Sequence, residues 1–135
     1  VVVTHGGELG MRGALRAAHK RQPDVCVAID TSPVTPEVPL ALDARPVVWF
    51  REATFNNAPE CQRLLELADE LGFGAQPVAY TAAASDAGRI KQHGLADRTV
   101  CFGPARDNSH GFEIAHAEAP ANVVKLLVAY LKQLE

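Results

Sequence analysis

Short apolar runs alternate along this chain with longer stretches in which apolar residues recur every three or four positions. Val1–Thr4, Val25–Ile29, Val47–Phe50, Pro77–Tyr80 and Arg98–Phe102 each read as a strand, the first of them β-branched throughout. Met11, Ala14, Leu15 and Ala18 share one helical face and predict a helix over about 10–21, stopped by Pro23. Cys61, Leu64, Leu65, Ala68 and Leu71 predict a second helix over 58–72, closed by Gly72 and Gly74. Asp86–His93 suits a short helix before Gly94, and Val123, Val124, Leu127, Tyr130, Leu131 and Leu134 line a final one that Pro120 helps to start. Thr31–Pro46 holds prolines at 33, 36, 39 and 46, which cannot donate to a ladder, so an irregular excursion is expected there.

Strands alternating with helices imply βα units. The expected fold is therefore a three-layer α/β sandwich with a mostly parallel sheet between helices. Ligands of such sheets gather beyond the carboxyl ends of the strands. That places Gly6–Gly10, Asp30, Thr81–Ala87 and Gly103–Glu113 at the functional edge. Glu8 after the first run, Asp30 at the end of the second and His110 after the fifth bring two carboxylates and an imidazole there, a donor set that suits zinc, cobalt or manganese. Each residue alone is ordinarily a helix cap or a surface group; their joint placement is what raises a metal site.

Composition narrows the classes. The chain has 135 residues, enough for one core, and a formal net charge of -3, which argues against a nucleic-acid footprint. Arg12–Arg21 is its densest basic stretch, and helical spacing makes it a solvated face. No apolar run approaches the roughly 20 residues that span a bilayer, and the apolar start has neither a basic n-region nor a cleavage site. Cys26, Cys61 and Cys101 are odd in number and widely spaced, as free buried thiols of a cytoplasmic protein would be. Gly6, Gly7, Gly10 and Gly13 lack the order of a dinucleotide loop, and Ser85 and Ser109 lack a nucleophile elbow. His5 is expected on the first strand, and His19 and His93 on helix surfaces.

His5-Gly6-Gly7-Glu8-Leu9-Gly10-Met11-Arg12-Gly13-Ala14 resembles the Glu-Glu-Val-Gly-Leu-Arg-Gly-Ala motif of the glutamyl aminopeptidase and tetrahedral aminopeptidase family, also labelled endoglucanase M. Pro23–Asp30 resembles that family's next strand, Ser85-Asp86-Ala87-Gly88 its Thr-Asp-Ala-Gly segment, and Arg106–Glu113 its late loop. The resemblance implies a dinuclear metallo-aminopeptidase, with zinc, cobalt or manganese as cofactors and peptides as substrates. Glu8, Asp30 and His110 would be metal ligands, His110 lying one place beyond the family's usual His position, which here is Ser109. Asp107 is a weaker ligand candidate. Asp86, Arg106 and Glu113 would support the ligands or touch substrate, with Glu113 orienting His110.

Two departures from the pattern shape the expectation. The family's general base precedes the metal-binding Glu, and here that position is Gly7. The family's upstream His and bridging Asp have no counterpart in these residues, and the chain opens on an apolar run without an initiator Met. Residues 1–135 are accordingly expected to be the C-terminal part of a catalytic domain. Such a chain would carry a partial site, turn over little or nothing, and self-associate through surfaces that an N-terminal segment would cover. The rival expectation is a non-catalytic peptide-binding or protein-interaction paralogue.

Overall fold

A computed structural model describes residues 1–134. In chain order the elements are α1 (Arg12–Arg21), β1 (Val25–Ile29), β2 (Ser32–Pro33), β3 (Pro46–Arg51), α2 (Ala58–Glu70), β4 (Gln76–Ala79), α3 (Asp86–Gln92), β5 (Arg98–Arg106) and α4 (Ala119–Leu131). The sheet runs β1-β5-β3-β4, with β2 also on β5. β1 and β2 pair with β5 in parallel, and so does β4 with β3. The central β3–β5 pairing is antiparallel, Val47 facing Gly103 and Trp49 facing Cys101.

Side chains alternate across this sheet, as the pleat requires. Val48, Val100 and Phe102 point to one face and pack with Cys61, Leu64, Leu126 and Tyr130 of α2 and α4. Fully burying an aliphatic or aromatic side chain contributes about 1.5–3 kcal/mol, so this face supplies much of the stability. Ala28, Val47, Trp49, Cys101 and Ala105 point to the other face, against Val78, Tyr80 and Ala87. α1 and α3 lie on that side, joined by Ala14, Ala18 and Ile90. The expected three layers are present.

Two readings of the pattern need correction. Val1–Thr4 is not a strand: it has no ladder partner, and Val1, Val2 and Val3 are exposed. β-branched residues favour a pleated surface only where another strand offers one. His5 is therefore on irregular chain, its carbonyl passing so close to Gly13 that a Cβ there would lie 2.6 Å from it. Second, the strand expected over Arg98–Phe102 continues to Arg106, because β2 and the start of β3 pair with its last residues. Arg106 thus belongs to a strand rather than to the late loop. The proline-rich excursion is mostly irregular as expected, apart from β2, and its Ala41 is clamped by the Gln76 amide through bonds of 2.8 and 3.0 Å.

All three thiols are free, with Cys61 and Cys101 buried. Burial pushes the Cys26 thiol up to about 11 and Cys61 up to about 12 from an ordinary 9.0, and Cys101 also rises. The sign follows from linkage. Above pH 9 the unfolded chain releases thiol protons that the folded chain keeps, so unfolding is favoured. Unfolding free energy should therefore begin to fall above pH 9 and keep falling towards pH 11–12, as read from urea titrations at successive pH values. A curve unaltered by alanine at Cys26 and Cys61 would exclude those two thiols as its cause.

Candidate active site

On the α1/α3 side of the sheet, beyond the ends of β1 and β5, lies an open cavity of about 1010 Å³. Glu8, Asp30, Asp86, Arg106 and His110 all line it, as does Gly7. Glu113 stands behind His110, and its carboxylate accepts the His110 backbone N–H at 2.9 Å.

Asp30 is fixed by the sheet. Its N–H donates to Phe102 O at 3.2 Å, and its Oδ1 accepts the Thr31 N–H at 2.8 Å. A Cβ on Gly103 would overlap the Asp30 carbonyl, so only glycine lets the two chains pass this closely. Burial raises the Asp30 pKa; the Thr31 N–H and the Arg106 guanidinium oppose that, while Asp86 and Glu52 add to it.

Glu8 sits on a turn closed by Leu9 N–H to Gly6 O at 3.1 Å and Gly10 N–H to Gly7 O at 3.2 Å. Gly6 and Gly10 have φ of 75° and 91°, which glycine adopts freely, and Met11 enters α1 at 57°. The Glu8 side chain is exposed and free to turn toward the cavity.

His110 lies in the loop that Asp107 and Ile114 close by reciprocal backbone bonds of 2.9 and 3.2 Å. Its φ is 64° and that of Asn108 is 56°, uncommon values for side-chain-bearing residues. Glu113 helps to hold that conformation, accepting the His110 N–H and pairing with the Arg106 guanidinium, and the Asn108 amide adds a bond to Phe112 O at 3.0 Å. Glu113 thus orients His110 through its backbone, not through its ring. His110 Nδ1 stands 3.7 Å from Glu8 Oε2.

Zinc ligands sit ~2 Å from the ion, so two ligands of one tetrahedral ion lie roughly 3.3 Å apart. The Glu8–His110 pair fits one edge of such a site after a small adjustment. Asp30 borders the same cavity, but among the described residues no group of three His, Cys, Asp or Glu is close enough to hold one ion.

Asp86 does not cap α3. Ser85 does, accepting the Gly88 N–H at 3.3 Å, while Asp86 Oδ2 accepts the Thr4 hydroxyl at 2.9 Å. His5, His19, His93 and His116 are absent from the lining among the described residues, and so is Asp107. Trp49 lines the cavity, whereas Phe50 packs on the opposite face. Tyr80, unremarked in the sequence, joins Trp49 with ring centroids 4.7 Å apart. Both aromatic heads are tied to β2, Trp49 Nε1 to Ser32 Oγ at 2.7 Å and Tyr80 OH to Pro33 O at 2.9 Å. Nothing local in the sequence marks Tyr80, since the strand-and-loop context fits core packing equally well.

A family model described as M42 glutamyl aminopeptidase matches residues 1–126. No curated protein sequence matches the chain. Among solved structures it is similar to a TET aminopeptidase from a marine sediment archaeon of the Thaumarchaeota, at 20% identity and a TM-score of 0.85, over 95% of this chain and 38% of that one. It is similar to an aminopeptidase from the archaeon Desulfurococcus kamchatkensis, at 18% identity and a TM-score of 0.83, over 91% and 38%. It is also similar to the Pyrococcus horikoshii TET1 peptidase, described as able to assemble into a tetrahedron or a large octahedral shell, at 21% identity and a TM-score of 0.80, over 90% and 37%. At such identities the likeness is one of fold. The chain spans less than two fifths of the length of these structures.

The Arg106–Glu113 pair offers a direct test of how the His110 loop is held. The Arg106 side chain is 11% exposed, and its Nε has no hydrogen-bond partner. Glu113→Ala would leave a largely buried guanidinium without its carboxylate and release the His110 N–H. Losing a hydrogen bond to a charged group costs about 1.5–3 kcal/mol. A lower denaturation midpoint is expected, with faster amide exchange over 107–114. An unchanged midpoint and unchanged exchange would show that the loop is held otherwise.

Proposed function

The chain belongs to the M42 glutamyl aminopeptidase family, and from that premise we propose that residues 1–135 are the C-terminal part of the catalytic domain of a cytoplasmic, metal-dependent aminopeptidase acting on short peptides. The observation that carries this reading is the approach of Glu8 to His110, 3.7 Å apart in the cavity that Asp30 also lines. Glu8, Asp30 and His110 are the proposed ligands of zinc, cobalt or manganese. Such ions, when bound, polarise a peptide carbonyl and acidify water.

The chain's own residues do the remaining work. Asp30 is held rigid by β1 and Gly103, and Arg106 supports both it and the His110 loop. Asp86 presents a second carboxylate to the cavity, within the electrostatic reach of Asp30. Trp49 and Tyr80 give one wall an apolar surface against which a substrate side chain can pack. What the chain lacks is a carboxylate at position 7 to take the proton from the attacking water. That lack supports a second reading, a non-catalytic peptide-binding paralogue, which keeps the cavity and loses turnover.

Partners follow from exposed surfaces. The outer edge of β1 is unpaired among the described residues, and Val124, Val128 and Leu131 stand exposed along α4. Open edges and apolar stripes recruit further protein. Self-association is the proposed consequence, and sedimentation of the purified chain as a concentration-independent monomer would rule it out.

Activity separates the two readings. The chain with Gly7 should hydrolyse aminoacyl-anilides negligibly, even with added zinc, cobalt or manganese. A Cβ at Gly7 meets nothing within 4 Å, so a glutamate has room there. In the full-length gene product, Gly7→Glu should raise kcat by ~10²–10⁴-fold, as expected for a positioned general base, with little change in KM. Robust turnover without the substitution would overturn the base assignment. No turnover with it would favour the peptide-binding paralogue.

A further inference from the structure

Glu52 follows β3 and is 2% exposed. No cation lies within ion-pair distance of it among the described residues. Its carboxylate instead accepts the backbone N–H of Ser85, the Ser85 hydroxyl at 2.7 Å and the Asn56 amide at 3.2 Å. Asn56 is itself fixed, donating to Trp49 O at 2.9 Å and accepting from Thr99 Oγ1 at 3.1 Å. Next door, Ala53 N–H donates to Ala83 O at 2.8 Å. The residues after β3 therefore grip Ala83 and Ser85, Glu52 from the interior and Ala53 from the cavity lining itself, while Thr81–Ala84 and Asp86 also face the cavity. Gly88 belongs to the same device: a Cβ there would overlap the Glu52 carboxylate.

We propose that Glu52 is a positioning residue for the candidate active site, fixing the cavity wall formed by Thr81–Ala84 and the Asp86 carboxylate. This rests on reading the cavity as the active site. A buried carboxylate is costly unless fully hydrogen-bonded. Two of the three bonds this one accepts come from Ser85, in the segment that lines the cavity. An apolar side chain would fill the space and satisfy neither Ser85 donor. A glutamine keeps two contacts with Ser85, its Oε1 accepting the N–H and its Nε2 donating to the hydroxyl oxygen, while the Ser85 O–H and the Asn56 amide give up their bonds to residue 52. Asn56 then keeps its bond to Trp49 O. Hydrogen bonding and charge are thereby separable.

The test compares Glu52→Leu and Glu52→Gln in the chain as it stands, by amide hydrogen exchange and by titration with Co²⁺. In Glu52→Leu, amides over 81–88 should exchange at least about tenfold faster, while those of β5, α2 and α4 stay protected. Cobalt affinity should change by less than about tenfold, because the wall carries none of the three proposed ligands. Glu52→Gln should bring exchange over 81–88 back toward the parent chain. Faster exchange spread evenly over all elements, or a Gln variant as impaired as Leu, would overturn the proposal. If Glu52→Leu does not fold, Ser85→Ala removes the hydroxyl bond to Glu52 together with the α3 cap on Gly88, and it should speed exchange over 81–85 as well as the first turn of α3; loosening confined to 86–88, or spread over all elements, would refute the idea. A parent chain that binds no cobalt would count against the metal-site reading, whereas the exchange pattern would still decide whether Glu52 holds the wall.

Discussion

Strand β5 is paired along both edges and covered on both faces, and it constrains nearly everything around it. A buried backbone must place each N–H and C=O in a hydrogen bond. β5 does so with β1 and then β2 on one edge and with β3 on the other. Its alternation then divides the core, Val100 and Phe102 toward α2 and α4, Cys101 and Ala105 toward the cavity side. Where β1 ends and β2 has yet to begin, the chain crosses β5 at Gly103, in contact that excludes any side chain. That crossing sets Asp30 near Arg106, so the placement of the cavity's most rigid carboxylate is a consequence of sheet packing.

The antiparallel step between β3 and β5 alters where the site can lie. In an all-parallel sheet every strand would deliver its following loop to one edge. Here β3 and β4 run against β1 and β5, so only β1 and β5 deliver Asp30 and the His110 loop in that way. The rest arrives over the sheet face. Trp49 contributes from mid-strand, Tyr80 from just beyond β4, and Asp86 from the start of α3. The cavity accordingly rests on a face of the sheet as well as beyond its edge.

Periodicity alone located α2, α4, β1 and β3 within a few residues, because each presents a continuous apolar face to a well-packed core. It misread Val1–Thr4, where β-branched residues have no neighbouring strand, and it cut β5 short at Phe102, where Gly103 and Pro104 look like punctuation. Both errors concern partners distant in sequence. The lining of the candidate cavity was legible in the same measure. Strand-end placement and the family motif singled out Glu8, Asp30, His110, Asp86 and Arg106, and the fold brings all five to one cavity. Glu52 was illegible: a glutamate between Arg51 and Ala53, just past a strand, looks like a solvated charge. Only the approach of Ser85, 33 residues later, makes it a buried acceptor.

The cavity therefore joins two halves of different character. Asp30 stands just past β1 and Asp86 at the start of α3, their backbones tied to the sheet or to the network around Ser85. Glu8 and His110 stand on exposed turns held by local bonds and by left-handed backbone. Segments with few buried contacts open at low free-energy cost, so the second half is the one that should open first. The bridge between the halves is the Arg106–Glu113 pair, one end anchored in β5 and the other on the His110 N–H. Any ion shared by Glu8 and His110 would add a second tie across the same gap. Its affinity would then depend also on how firmly that arginine, largely buried at the end of β5, already holds the loop.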